Sequence, residues 1–176
     1  MSAKILEGNV LETLKDLPAC SVQCVVTSPP YYGLRDYGME GQIGMEETPD
    51  EYVAQLVKVF REVWRVLKDD GTLWLNLGDS YAGSWGNYGG QNRGKGKQRE
   101  IVNGSQVEHK AYEGKENWKP PTANNLGNGI KPKDLIGIPW MVAFALRADG
   151  WYLRQDIIWA KPNPMPESVT DRCTKS

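Results

Sequence analysis

The chain has 176 residues, with 21 Lys and Arg against 22 Asp and Glu for a formal net charge of -1. With 40% hydrophobic and 24% charged residues it fits one ordinary globular domain, and it fits neither a disordered chain nor a globally basic nucleic-acid binder. The longest apolar stretch, around Trp140 to Leu146, falls far short of a bilayer span, and Met1 to Ile5 lacks the apolar run of a signal peptide, so a cytoplasmic protein is expected.

Lys4-Ile5-Leu6 reads as a short strand, and Asn9 then stands where a helix cap belongs, ahead of Val10, Leu11, Leu14 and Leu17. Pro18 ends that helix. The β-branched run Val22 to Thr27 predicts a buried strand, broken by Ser28-Pro29-Pro30 because successive prolines cannot extend a sheet ladder. Thr48-Pro49-Asp50-Glu51 has the form of a capping box, and Val53, Leu56, Val57, Phe60, Trp64 and Leu67 continue it as one apolar helical stripe. Gly71 is expected to terminate this helix in a left-handed conformation, with Thr72 to Leu77 as the next strand.

Composition changes abruptly from 82 to 133, where Gly, Asn and Lys accumulate without periodicity. This reads as about fifty residues of loop, a length that inside a domain is usually functional or mobile. Gly83 to Lys133 holds nine Lys or Arg against four Asp or Glu, so positive charge is segregated there. Pro139 then opens a helix running to Gly150, and Trp151 to Ala160 reads as a strand stopped at Lys161-Pro162. Trp140, Trp151 and Trp159 are expected in the core. Cys20, Cys24, Cys173 and the single His109 make no metal-ligand pattern, and free thiols follow.

Alternating strand and helix signals predict an α/β sheet with helices on both faces, and such sheets place chemistry at the carboxyl ends of their strands. Ser28-Pro29-Pro30-Tyr31 and Gly78-Asp79-Ser80 both fall at such ends. The first offers a rigid turn, a hydroxyl, conformationally restricted carbonyl acceptors and an aromatic ring. That set suits an exocyclic nucleobase amine, whose lone pair is delocalised until oxygen acceptors on its N–H bonds favour the pyramidal form. The ring can stack on a base once it leaves the duplex. For the basic run Arg93, Lys95, Lys97 and Arg99, interleaved with glycine, contact with a phosphate backbone is expected. Asp79 fits equally well as an acceptor of turn N–H groups and as a site residue.

Thr27-Ser28-Pro29-Pro30-Tyr31-Tyr32-Gly33-Leu34-Arg35-Asp36-Tyr37-Gly38 resembles the catalytic segment of the amino-group DNA methyltransferases, the N4-cytosine and N6-adenine family. Gly8-Asn9-Val10-Leu11, Leu75-Asn76-Leu77-Gly78-Asp79 and Trp151 to Asn163 extend the resemblance in the permuted order, with the catalytic segment first. It implies a partial doubly wound Rossmann-like sheet over 1–176, with 82–133 as a long basic loop within it. It further implies methyl transfer from S-adenosylmethionine to an exocyclic amine of double-stranded DNA, in which Ser28 and the Pro29 carbonyl accept from the amine, Pro30 fixes the loop and Tyr31 stacks on the flipped base. Asn9, Thr27 and Asp79 fall on the cofactor side. Arg35, Lys161 and Asn163, with Arg93, Lys95, Lys97 and Arg99, fall on the DNA side.

Serine at the head of the motif favours N4-cytosine over N6-adenine. C5-cytosine chemistry is disfavoured because no cysteine follows a proline. Two departures from the family stand out: Asn9 replaces the usual acid, and the Phe-x-Gly-x-Gly cofactor loop is absent from these residues. The sheet implied is therefore incomplete, and the expectation is a chain completed by a missing carboxyl-terminal half or by a second chain. A reading from another class is a non-catalytic DNA-binding or assembly remnant that keeps the target-base loop without cofactor binding.

Overall fold

The structure, a computed structural model, describes residues 3–82, 99–102, 105–108, 129–131 and 133–163. Asn9 does cap the first helix, α1 (Val10–Thr13), its side-chain oxygen accepting from the Leu11 amide, and a 3-10 turn over Leu14–Asp16 follows. The β-branched run forms β1 (Val22–Thr27). Helix α2 (Pro49–Val66) begins with the complete capping box: the Glu51 amide donates to the Thr48 hydroxyl, and the Glu51 carboxylate accepts from the Thr48 amide. Strand β2 (Leu67–Leu75) pairs in parallel with β1, matching Val25 to Leu73, Val26 to Trp74 and Thr27 to Leu75. Later in the chain comes helix α3 (Ile138–Ala148), which opens with Pro139 in its first turn.

The core lies where α2 and α3 meet the strand pair. Tyr52, Leu56, Phe60 and Val63 of α2 pack with Ile138, Val142 and Leu146 of α3, and Val25, Leu73 and Leu75 press against them from the strands. Each fully buried apolar side chain of this kind contributes about 1.5–3 kcal/mol. The opposite face of the pair is bare among the described residues: the register partners Val26 and Trp74 are 78% and 50% exposed. The architecture shown is α/β with a two-stranded parallel sheet, and helix cover is seen on one face only.

Several expectations need correction. Residues 4–6 form no strand, because no described segment offers them an edge, and Ile5 is 91% exposed. The segment 151–160 likewise forms no strand; the Trp151 amide closes onto the Leu146 carbonyl, and the residues beyond find no ladder partner among those described. Trp151 alone of the three tryptophans packs against the core, while Trp140 and Trp159 are exposed. In α2 the expected stripe is buried at Val53, Leu56, Phe60 and Leu67, with Val57 packed against the core, but the buried face is wider than expected. It takes in Tyr52, Val59, Val63 and Val66 and leaves Trp64 at the surface, its ring edge-on to Trp151 with centroids 4.9 Å apart.

Gly71 does not end α2 in a left-handed turn. The helix stops when Leu67 turns extended, at φ -69° and ψ 145°. Gly71 instead serves a close approach, since a Cβ there would lie 2.9 Å from the Lys68 carbonyl oxygen. Within the expected loop 82–133, β3 (Arg99–Val102) and β4 (Ser105–Glu108) pair as an antiparallel hairpin, with Arg99 opposite Glu108. β-branched Ile101, Val102 and Val107 give that stretch its strand preference. Arg93, Lys95 and Lys97 lie outside the described residues. Cys20 and Cys24 are free and exposed, and no helix among the described residues is long and apolar enough to cross a membrane.

Candidate target-base site

Parallel pairing of β1 and β2 carries both candidate loops to one edge of the sheet. The Asn76 amide donates to the Thr27 carbonyl at 2.9 Å, which extends the pairing past the strand ends. Ser28-Pro29-Pro30-Tyr31 and Gly78-Asp79 then lie side by side. A Cβ built on Gly78 would sit 2.6 Å and 2.8 Å from Cε2 and Cδ2 of Tyr31, so the ring rests directly on the glycine backbone.

Ser28 is exposed and Tyr31 half-buried. The Ser28 hydroxyl donates to the Tyr31 hydroxyl at 3.3 Å, which leaves the serine oxygen's lone pairs for an incoming donor. The two proline carbonyls differ. That of Pro30 accepts from the Tyr52 hydroxyl at 2.9 Å, whereas that of Pro29 meets no donor among the described residues.

The segment 42–52 holds this loop from behind. The Gly33 amide donates to the Gly44 carbonyl at 2.7 Å, and the Leu34 amide closes a turn onto the Tyr31 carbonyl at 3.2 Å. Gly44 has φ +99°, and a Cβ there would come within 2.9 Å of the Tyr31 carbonyl oxygen, so glycine is required on both counts. Tyr32 is buried, packs against Tyr52 at 5.5 Å between ring centroids and donates to the Glu47 carbonyl. Burial, reinforced by the charge of Glu46, pushes both phenols well above their ordinary pKa, so they stay protonated donors. Burial also raises the Glu46 carboxyl, which accepts from the Gly44 amide.

Tyr52 and Gly44 were not singled out by sequence reasoning. Tyr52 lies on the buried side of a capping-box helix and reads as core; the available signal was a phenol one turn in, where a buried hydroxyl must find an acceptor.

The Asp79 carboxylate accepts from the Gly137 amide at 3.0 Å, the Ile138 amide at 3.1 Å and the Ser80 amide at 2.9 Å, tying the exit of β2 to the start of α3. The same junction is zipped by the Ile136 amide on the Ser80 carbonyl and by paired contacts between Ala82 and Lys133–Asp134. Ala82 and Lys133, which flank the basic segment, are thereby held together a few residues beyond Gly78. Arg35, Lys161 and Asn163 are exposed; Gln42 holds the Arg35 carbonyl at 2.6 Å. Asn9 spends its side-chain oxygen on the helix cap, and the Thr27 carbonyl is engaged by Asn76.

Residues 22–176 match the N6/N4 methyltransferase family described as DNA methylase. The chain is 49% identical over 178 aligned residues to the type II methyltransferase M.SmaI of Serratia marcescens, covering 99% of this chain and 53% of that protein. It is 48% identical to M.Cfr9I of Citrobacter freundii, covering 99% of this chain and 51% of the relative. A solved structure from Thermus thermophilus, a DNA modification methylase complexed with S-adenosyl-L-methionine, is 35% identical over 45% of this chain and 31% of that one, with a TM-score of 0.34. The chain thus spans about half the length of the curated relatives it matches. On the family match and on these identities along nearly its whole length, the chain belongs to the N6/N4 DNA methylase family.

Proposed function

We propose that this chain carries the target-base part of an S-adenosylmethionine-dependent DNA methyltransferase acting on the exocyclic N4 amine of cytosine. The observation that supports this most is the open Ser28 hydroxyl and Pro29 carbonyl on a turn whose next carbonyl is already fixed by Tyr52. Two acceptors set on a rigid turn take the two N–H bonds of one amine and draw its nitrogen toward the pyramidal, nucleophilic form without reorganising. Tyr31, seated on Gly78, stacks on the extruded base. Pro30 holds the geometry. Serine at the head of the motif favours cytosine over N6-adenine, as the family resemblance implies.

S-adenosylmethionine supplies the methyl group in this reading. The described residues form only a margin of a site for it, because Asn9 and Asp79 commit side-chain oxygens to backbone amides and no Phe-x-Gly-x-Gly segment occurs in the sequence. The cofactor contacts assigned to Asn9, Thr27 and Asp79 are accordingly secondary to a loop supplied from elsewhere. The two-stranded sheet is read as part of a doubly wound Rossmann-like sheet, completed by a carboxyl-terminal half or a second chain across its bare face and along 151–160. Arg35, Lys161, Asn163 and the basic run with Arg93, Lys95, Lys97 and Arg99 are assigned to double-stranded DNA, supported by the segregation of positive charge in 83–133 and by the exposure of Arg35, Lys161 and Asn163.

One observation favours a second reading. The engaged oxygens of Asn9 and Asp79 suit a non-catalytic DNA-binding remnant equally well. Incubating the protein together with the polypeptide that carries the cofactor loop, DNA from a methylation-free host and labelled S-adenosylmethionine, followed by nucleoside mass spectrometry, separates these readings. N4-methylcytosine is expected, and Ser28→Ala should lower its yield about 10²–10³-fold. N6-methyladenine would change the assigned base, and DNA binding without any methylated nucleoside would favour the remnant.

A further inference from the structure

We infer that Gly78 and Asp79 are positioning residues for Tyr31: the backbone at Gly78 is the seat of the stacking ring, and Asp79 locks that seat to the start of α3. The inference rests on the assignment of Tyr31 to the flipped base. The bare Cα of Gly78 sets the depth of the ring, since any Cβ would fall 2.6–2.8 Å from two ring carbons, closer than such contacts ever stand. The seat itself is held by its neighbour. The Asp79 carboxylate takes the Gly137 and Ile138 amides at 3.0–3.1 Å, the unsatisfied N–H groups of a helix start, where a carboxylate is favoured. Gly137, at φ +85°, turns its amide toward the carboxylate, and α3 is in turn fixed by buried Val142 and Leu146.

The chain of contacts therefore runs from the core through α3, Asp79 and Gly78 to the ring. Because the atoms opposing a Cβ at Gly78 belong to a half-exposed side chain and not to backbone, Gly78→Ala displaces the ring and spares the fold. A shift near 1 Å in a stacking group suffices for about a hundredfold loss of rate.

The test uses the full-length protein labelled with 3-fluorotyrosine, with the Tyr31 resonance identified by its disappearance in Tyr31→Phe. Gly78→Ala should shift that resonance, lower kcat for tritiated methyl transfer to DNA by ten- to a hundredfold, and leave the KM for DNA and the melting temperature close to wild type. Asp79→Asn, which keeps the shape and weakens the lock, should shift the same resonance less and lower kcat less. In a double-mutant cycle Gly78→Ala should cost nothing further once Tyr31 is Ala. An unmoved resonance with kcat within twofold of wild type, or full additivity with Tyr31→Ala, overturns the inference. Tyr31→Ala without effect on transfer would instead overturn the stacking role of Tyr31, a separate failure.

Discussion

The two faces of the β1–β2 pair have opposite fates. On one, Val25, Leu73 and Leu75 disappear against α2 and α3; on the other, their immediate neighbours Val26 and Trp74 stand in water. The side chains are of the same kind on both, so strand preference is satisfied equally and only the partner differs. The covered face has its partner nearby in sequence, since α2 leads directly into β2 and brings its own apolar stripe. The bare face has no such local supply among the described residues. The Ser28–Tyr31 loop grows from the finished side of this frame, with α2 beneath it through Tyr52 and α3 beside it through Asp79.

The sharpest way to break this comparison is to damage the covered face. Phe60 is 1% exposed and central to the contact of α2 with α3 and the strands. Phe60→Ala should destabilise the protein by about 3–5 kcal/mol, read by denaturant unfolding. A loss below about 1 kcal/mol, the size of an ordinary single substitution, would mean that this face is not the core.

A smaller effect is expected at the joint between core and site. Tyr52→Phe removes the only donor described for the Pro30 carbonyl and keeps the ring, so it should cost about 1–3 kcal/mol if that carbonyl is left unsatisfied. Methyl transfer should fall with it, because the turn loses the bond that fixes its plane. Tyr32→Phe, which frees the Glu47 carbonyl at an exposed residue, serves as the comparison and should cost less stability and little activity.

The elements that sequence made legible are those whose signals are local. The capping box at Thr48–Glu51, the cap at Asn9, the β-branched run of β1 and Pro139 in the first turn of α3 each state a backbone fate within a few residues. The 151–160 segment reads as a strand from composition alone, but a strand exists only with a ladder partner, and periodicity carries no information on whether one is present. The site was legible as a loop, Ser28 to Tyr31, and not as a construction. The Gly78 seat, the Tyr52 clamp and the Asp79 lock arise from parallel pairing and from a helix whose cap, Gly137, lies 58 residues after Asp79. In α2 the stripe is legible at Val53, Leu56, Phe60 and Leu67 and fails at Trp64, which stands at the surface against Trp151 while its equally apolar neighbour Val63 turns inward.

The least effect is expected on the bare face, and there the outcome carries the most information about what lies beyond it. Val26 is 78% exposed, so Val26→Lys should change unfolding free energy by no more than about 0.5 kcal/mol, as for an ordinary surface site. Lysine retains enough aliphatic stem to lie along Trp74, its register partner, while its ammonium stays in water. If instead the substitution costs more than about 2 kcal/mol, the least that burying an unpaired polar group costs and well below the full cost of a buried charge, then this face is buried in the working protein. The sheet would then be finished by polypeptide packed on Val26 and Trp74, and the asymmetry of the two faces would belong to these residues taken alone.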